Sequence, residues 1–386
     1  MRLFRNGSVA VALSAAMLVG CVSAEETPVP SSEPSAPFSA AQVPTTTTPA
    51  PPSEGGEAAS ISMAPEERRR LAASLMVVGV TDYDDALAKL RQGVGGIFIT
   101  SWADPAMLTE PGRNIAALRE AVGRDFSVSI DFEGGRVQRH SSVLGDFPSP
   151  REMANTLSPQ ETEDLAHCLG QSLHEHGITI DFAPVLDVDS AGLEVIGDRS
   201  FATEPQRAAE YAAAFARGLH AAGVKPVFKH FPGHGAASGD THKGAAVTPP
   251  IERLGELDLS AYGPALAQSE GAGVMVGHLV VPGLSTGDTP SSIDPAVYGL
   301  LRSGAYPHGT PFGGTIYTDD LSGMKAITDR MSTSDAVVAA IVAGADRALW
   351  SSGEAVEEAI DKAAAAVAEG RLPEDRLRAS AGVPQS

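Results

Sequence analysis

Residues 229 to 242 bring a lysine, three histidines and an aspartate into one short stretch, Lys229-His230-Phe231-Pro232-Gly233-His234-Gly235 followed by Asp240-Thr241-His242. Imidazole titrates near neutral pH, and a stretch so polar and so rich in glycine reads as an active site and not as plain connection. The stretch follows the apolar run Val224 to Phe228, which places these groups on a loop where a buried strand ends. Polar groups close other apolar runs in the same way. Asp131 opens Asp131-Phe132-Glu133-Gly134-Gly135-Arg136-Val137-Gln138-Arg139, and Asp181 and Asp187 bracket Asp181-Phe182-Ala183-Pro184-Val185-Leu186-Asp187. Beyond them come Gly197-Asp198-Arg199-Ser200-Phe201, His278 and Thr318-Asp319-Asp320-Leu321. Carboxylates, guanidinium groups and imidazoles at strand ends suit nucleophilic and acid/base chemistry on a polar substrate.

The elements that must position these groups alternate along the chain. Strands are expected at Leu75–Val80, Gly96–Thr100, Phe126–Asp131, Ile178–Ala183, Lys225–His230, Gly273–His278, Gly314–Asp319 and Ala345–Trp350. Helical patterns lie at Asp84–Gln92, Arg113–Val122, Pro159–His176, Glu204–Ala222, Ile251–Gln268, Asp294–Arg302, Ser322–Ala343 and Glu354–Glu369. Short apolar strands joined by crossover helices require a parallel α/β sheet covered by helices. Eight such units close into a single (β/α)8 barrel of the TIM type, with an open doubly wound sheet as the competitor. In a barrel the chemistry collects at the C-terminal strand ends, where the polar groups above fall.

The N-terminus has a different character. Arg2 and Arg5 precede an apolar stretch from Val9 to Val19, which reads as a signal peptide over residues 1–20 and is too short to span a bilayer. Leu18-Val19-Gly20-Cys21 resembles a bacterial lipobox, making Cys21 the expected lipidation site and the membrane a partner through that anchor. Residues 21–60 are rich in Pro, Ser, Thr, Ala and Glu and cannot build a core, so they read as an extended linker. Residues 61–386 form the expected catalytic domain. The formal charge of −20, from 28 basic and 48 acidic residues, makes nucleic acid a poor partner. With Cys21 at the signal site, Cys168 is left without a disulfide partner, and its place in a helical pattern suggests a small buried residue.

The motifs around Asp131, Asp187, Arg199, Lys229, His242 and Asp319 resemble, in family order from about Val94 to Ala326, those of the glycoside hydrolase family 3 β-N-acetylglucosaminidases of the single-domain kind. The resemblance implies a retaining glycosidase in which Asp319 is the nucleophile, His242 the general acid/base and Asp240 its partner. Asp131, Arg139, Arg199, Lys229 and His230 would then hold the N-acetylglucosamine ring. It implies no cofactor and no metal, a small GlcNAc-containing glycan or muropeptide as substrate, and an enzyme expected to be an exported monomer on the outer face of the cell membrane. Glu133 and Arg136 are expected to shape the turn at Gly134-Gly135, which brings Arg139 inward. Asp320 is expected to cap the following helix, His234 to shape its loop, and Asp187 and Asp198 to hold neighbouring loops. His278 is open between supporting the site and filling the core. Three other readings compete. His230, His234, His242 and Asp240 could form a metal site, although Pro232, Gly233 and Gly235 preclude a helix there. The enzyme could be a broader β-glycosidase or a phosphorylase, because a histidine acid/base does not repel phosphate. The chain could also be a surface lipoprotein that binds sugar without cleaving it.

Overall fold

The computed structural model describes residues 63–383; the expected signal peptide, Cys21 and the linker lie outside the described residues. Eight parallel strands form the centre: β1 (Met76–Val80), β2 (Gly96–Ile99), β3 (Ser127–Ile130), β4 (Ile180–Asp181), β5 (Lys225–Phe231), β6 (Gly273–Val276), β7 (Ile316–Thr318) and β8 (Ala348–Trp350). They pair in sequence from β1 to β7, and β8 pairs with β1. The seam between β7 and β8 is narrow. A bridge at Tyr317 and Arg347, the Thr318 N–H donating to the Arg347 carbonyl at 3.0 Å and the Leu349 N–H donating to Thr318 Oγ1 at 2.9 Å draw it together. The expected barrel is therefore present, with shorter strands than the apolar runs suggest, notably two residues at β4.

Alternation along each strand separates two cores. Val77, Phe98, Ile180, Val227, Met275, Tyr317 and Leu349 face inward and, with Phe182, fill the barrel interior. Phe182 packs against Phe98 and Tyr317, with ring centroids 5.8 and 5.5 Å apart. Intervening residues such as Val78, Ile97, Val128 and Val274 face outward into the larger layer beneath the helices.

The helices are α1 (Pro65–Ser74), α2 (Tyr83–Arg91), α3 (Ile115–Val122), α4 (Pro159–Glu175), α5 (Pro205–Ala221), α6 (Asp258–Ala267), α7 (Pro295–Ser303), α8 (Thr333–Ala343) and α9 (Val356–Ala368), with shorter turns between. Their starts follow local chemistry. Ser158 and Glu161 form a capping box ahead of α4, and Asp82, Asn114, Asp294 and Ser332 each accept a backbone N–H at their helix start. Among the described residues no helix is long and apolar enough to cross a membrane.

Four expectations need correction. The pattern Ile251–Gln268 is two helices, Ile251–Glu256 and α6, because Asp258 turns inward at the break to accept two buried backbone N–H groups. The pattern Ser322–Ala343 also divides, into Lys325–Thr328 and α8. Asp320 caps neither; it accepts the N–H groups of Ser322 and Ser351 at 2.9 and 2.8 Å, tying the loops after β7 and β8 together. Cys168 is half-buried on α4 and not fully enclosed, since the buried side of that helix runs through Ala166, Leu169 and Leu173.

Helices α4 and α5 approach each other closely at Gly218. A Cβ there would lie 2.3 Å from the Glu163 carbonyl oxygen and 2.7 Å from Ala166 Cβ. Alanine favours a helix over glycine by about 1 kcal/mol, whereas overpacking costs about 1–3 kcal/mol. Gly218→Ala should therefore lower the unfolding midpoint in urea. A raised midpoint would show that helix propensity outweighs this contact.

Candidate active site

A cavity of about 290 Å³ opens at the C-terminal ends of the strands, with Phe98, Met275 and Leu349 of the interior core at its base. Asp131, Arg139, Arg199, Lys229, His230, His242 and Asp319 all line it, so the structure brings together every expected site residue except Asp240, which stands behind His242.

One wall is a chain of alternating charges. Arg139 Nη2 donates to Asp131 Oδ2 at 2.7 Å, and Lys229 Nζ donates to Asp131 Oδ1 at 2.8 Å. The same Nζ lies 2.6 Å from Glu133 Oε1, and the Arg199 guanidinium grips both oxygens of Glu133 at 2.8 Å. Burial alone would push both carboxyl groups up. For Asp131, Lys229 and Arg139 outweigh burial and hold it well below the ordinary carboxylate range. For Glu133, Arg199 and Lys229 hold it at about 2. Lys229 is raised despite its burial, because Asp131 and Glu133 favour the charged form. Glu133 was expected only to shape a turn. Its place two residues after Asp131 on an extended chain puts both carboxylates on one side, which is the sequence signal for it. The turn itself forms as expected: Gly134 and Gly135 adopt φ of 92° and 57° between Phe132–Gly134 and Val137–Gln138 and return Arg139 to Asp131. Arg136 reaches across to Asp198 at 2.7 Å and to the carbonyls of Glu194 and Ile196, fixing the long loop that carries Arg199.

Asp319 follows β7 and is 8% exposed. Burial favours its neutral form, but the imidazoles of His230 and His278 and the Asp320 N–H at 2.9 Å outweigh this, so its carboxyl lies below the ordinary value. It is therefore ionised at neutral pH. His230 is held from behind by Asp187, with Nδ1 to Oδ2 at 2.6 Å, and Asp187 also accepts the backbone N–H groups of His230 and His234. His278 supports the site, bonding Ser292 Oγ at 2.7 Å and the Asp320 carbonyl at 2.9 Å. His234 lines the cavity with neither ring nitrogen partnered, and burial keeps its pKa below the ordinary value.

The opposite wall is more open. His242 Nδ1 lies 2.8 Å from Asp240 Oδ1, and the histidine side chain is 52% exposed. Burial would raise the Asp240 carboxyl, but hydrogen bonds from His242 outweigh it and keep it below the usual value. The loop touches the segment after β7 through the Thr241 carbonyl, which accepts the Ala326 N–H at 3.1 Å, and through Thr241 Oγ1 against Met324 Sδ. Asp187 and Asp240 each engage only Nδ1 of their histidine. Among the described residues no three His, Cys, Asp or Glu side chains are arranged to hold a metal.

Asp258 was not foreseen. It is fully buried, and one oxygen accepts the N–H groups of Val188 and Gly235 at 3.0 Å each, joining the loops after β4 and β5. Burial, with the charge of Asp187, pushes its carboxyl up to about 7. A carboxyl raised on folding holds a proton that the unfolded chain has lost, so it contributes stability that falls as pH rises from about 4 to about 7. Asp258→Asn keeps the accepting oxygen and removes the titration. The stability of the wild type relative to this variant should decline across that window in urea unfolding, and a constant difference would refute the shift.

Residues 71–382 match the profile of the glycosyl hydrolase family 3 N-terminal domain. The chain is 44% identical over 373 residues to the β-hexosaminidase LpqI of Mycobacterium tuberculosis, covering 95% of this chain and 93% of that protein. The crystal structure of a family 3 glycosyl hydrolase from Mycobacterium smegmatis superposes with a TM-score of 0.78 at 47% identity, covering 82% of this chain and 94% of that one. A family 3 β-N-acetylglucosaminidase from Paenibacillus has a TM-score of 0.74 at 31% identity, covering 81% of this chain and 60% of that one. The chain belongs to glycosyl hydrolase family 3.

Proposed function

We propose that this chain is an exo-acting, retaining β-N-acetylglucosaminidase that removes terminal GlcNAc from muropeptides or related cell-wall glycans, anchored through Cys21 on the outer face of the membrane. The coarser activity, β-hexosaminidase, follows from family membership and from near full-length similarity to LpqI. The observation that carries the finer reading is an ionised, enclosed Asp319 sharing one blind cavity with the carboxylate-backed His242.

In this reading the charged wall receives the hydroxyl and N-acetyl groups of one sugar, because guanidinium, ammonium and carboxylate groups match its donors and acceptors. Asp319 attacks the anomeric carbon while His242 protonates the departing oxygen, and a covalent glycosyl-Asp319 intermediate results. With Nδ1 engaged by Asp240, Nε2 is the nitrogen left for the leaving group. His242 then takes a proton from water, which releases the β-configured product. Two displacements at one carbon restore the original configuration.

With 4-nitrophenyl β-N-acetylglucosaminide, Asp319→Asn should lower kcat at least ~10³-fold, as expected for removal of a nucleophile. Retention of more than a tenth of the wild-type rate would rule out that role. Asp240→Ala should lower turnover of a GlcNAc disaccharide by roughly 10²-fold and that of the nitrophenyl substrate much less, because a good leaving group needs little protonation. Equal losses on both substrates would remove the dyad from the mechanism.

A further inference from the structure

The N-terminal face of the barrel, opposite the active site, carries a second charged cavity. It has a volume of about 390 Å³ and lies where β7 and β8 begin, between α7 and the helix Glu374–Ser380. Three arginines line it, Arg302, Arg347 and Arg376, with Asp346 as the one carboxylate in its wall. Lys225, the first residue of β5, adds a fourth cation through Thr315, also in the wall, with Nζ 3.4 Å from Thr315 Oγ1. Asp346 is already engaged, paired with Arg302 and accepting from Ser380 Oγ at 2.8 Å.

Residues at this end of a barrel ordinarily serve stability, and part of the cluster does so. Arg376 donates to the carbonyls of Ile341 and Ala345 at 2.9 and 2.7 Å, Arg347 Nη1 to those of Asp346 and Ser380, and Arg302 Nη1 to those of Phe312 and Gly314. These bonds place the guanidinium groups without neutralising them. Burial lowers the pKa of Lys225, and Arg347 lowers it further; burial likewise lowers Arg376, with Asp346 opposing the effect and Arg302 adding to it. In a chain of formal charge −20 this is a concentration of positive charge in which the cations outnumber the one carboxylate, Asp346. The rim is made of small residues, with open space beyond the Cα of Gly313 and Gly382.

We propose that this cavity is a phosphate-binding site, taking inorganic phosphate or a small phosphate monoester. The guanidinium N–H groups not used by the backbone can meet the oxygens of a phosphate, and half-buried cations that outnumber their counter-charge gain most from a dianion. The residues involved are remote from the sugar pocket, so the site is independent of the reaction proposed for Asp319.

The test is thermal unfolding of the full chain with 10 mM phosphate or 10 mM glycerol phosphate, against sodium chloride of equal ionic strength. Binding near 1 mM should raise Tm by about 2 °C or more over the chloride control. A response to phosphate identifies the ion as sufficient, and a larger response to glycerol phosphate identifies the ester. Lys225→Met and Arg347→Gln should each keep turnover of the nitrophenyl substrate and lose the phosphate-dependent rise. Lys225→Met breaks only the side-chain contact with Thr315, so it is the variant that tests the site should Arg347→Gln fail to fold. Equal Tm in phosphate and chloride would overturn the proposal. So would an undiminished rise in Lys225→Met, which would place the phosphate elsewhere on the protein.

Discussion

The burial of Lys229 between two carboxylates is the constraint on which the site depends. A lysine only 2% exposed cannot remain charged without compensation, and Asp131 and Glu133 supply it at 2.8 and 2.6 Å. Two carboxylates around one ammonium are in turn over-compensated, which Arg139 and Arg199 correct from the two ends. The resulting chain leaves one positive charge in excess, and Asp319, across the cavity, balances it. Such a network gains little net stability over an apolar core, because the desolvation of each ion offsets most of the attraction. What it confers is geometry, since Asp131 and Glu133 after β3 are both tied to Lys229 of β5, and Glu133 also to Arg199 on the loop after β4.

Those loops are themselves held by carboxylates that accept backbone N–H groups. Asp187 gathers the N–H groups of His230 and His234, Asp258 those of Val188 and Gly235, and Asp320 those of Ser322 and Ser351. Irregular backbone that passes under a buried site must find partners for its polar groups, and a side-chain carboxylate can serve two donors at once. Gly233 and Gly235 permit the close approach this requires: a Cβ on Gly233 would lie 2.0 Å from Asp258 Cβ, and one on Gly235 would lie 1.9 Å from the Val188 carbonyl oxygen. The glycines of the signature loop are thus explained by packing against neighbouring segments.

Legibility followed the range over which each residue acts. Asp131, Lys229, His230 and Asp319 can be read from sequence because each ends an apolar run, and the period of those runs already implies eight parallel strands. Glu133 was visible in the alternation after Asp131 but was assigned to the turn, since its partners Arg199 and Lys229 are distant in sequence. Asp258 could not be found. It sits 23 residues beyond Gly235 in a stretch whose pattern suits one continuous helix, and only the tertiary demand of two buried N–H groups breaks that helix at Leu257. Asp320 was misread for the same reason, because a carboxylate before a helical pattern resembles a cap, whereas Ser351 on the next strand-end loop claims it.

The two walls of the cavity differ in a way that the proposed two-step mechanism requires. The sugar must be held in one orientation through both displacements, and the buried ion chain supplies that without reorganisation. The leaving group must depart and water must enter on the other side between the steps. Acid/base chemistry there needs a group that meets solvent and can change protonation state, and a half-exposed imidazole on a single carboxylate satisfies both. Placing His242 within the ion chain would fix its charge. Placing Asp319 on the open loop would hydrate it and weaken its attack. In the proposed mechanism, separating a buried nucleophile, Asp319, from an exposed acid/base, His242, is therefore the arrangement that would let one small cavity serve glycosylation and hydrolysis in turn.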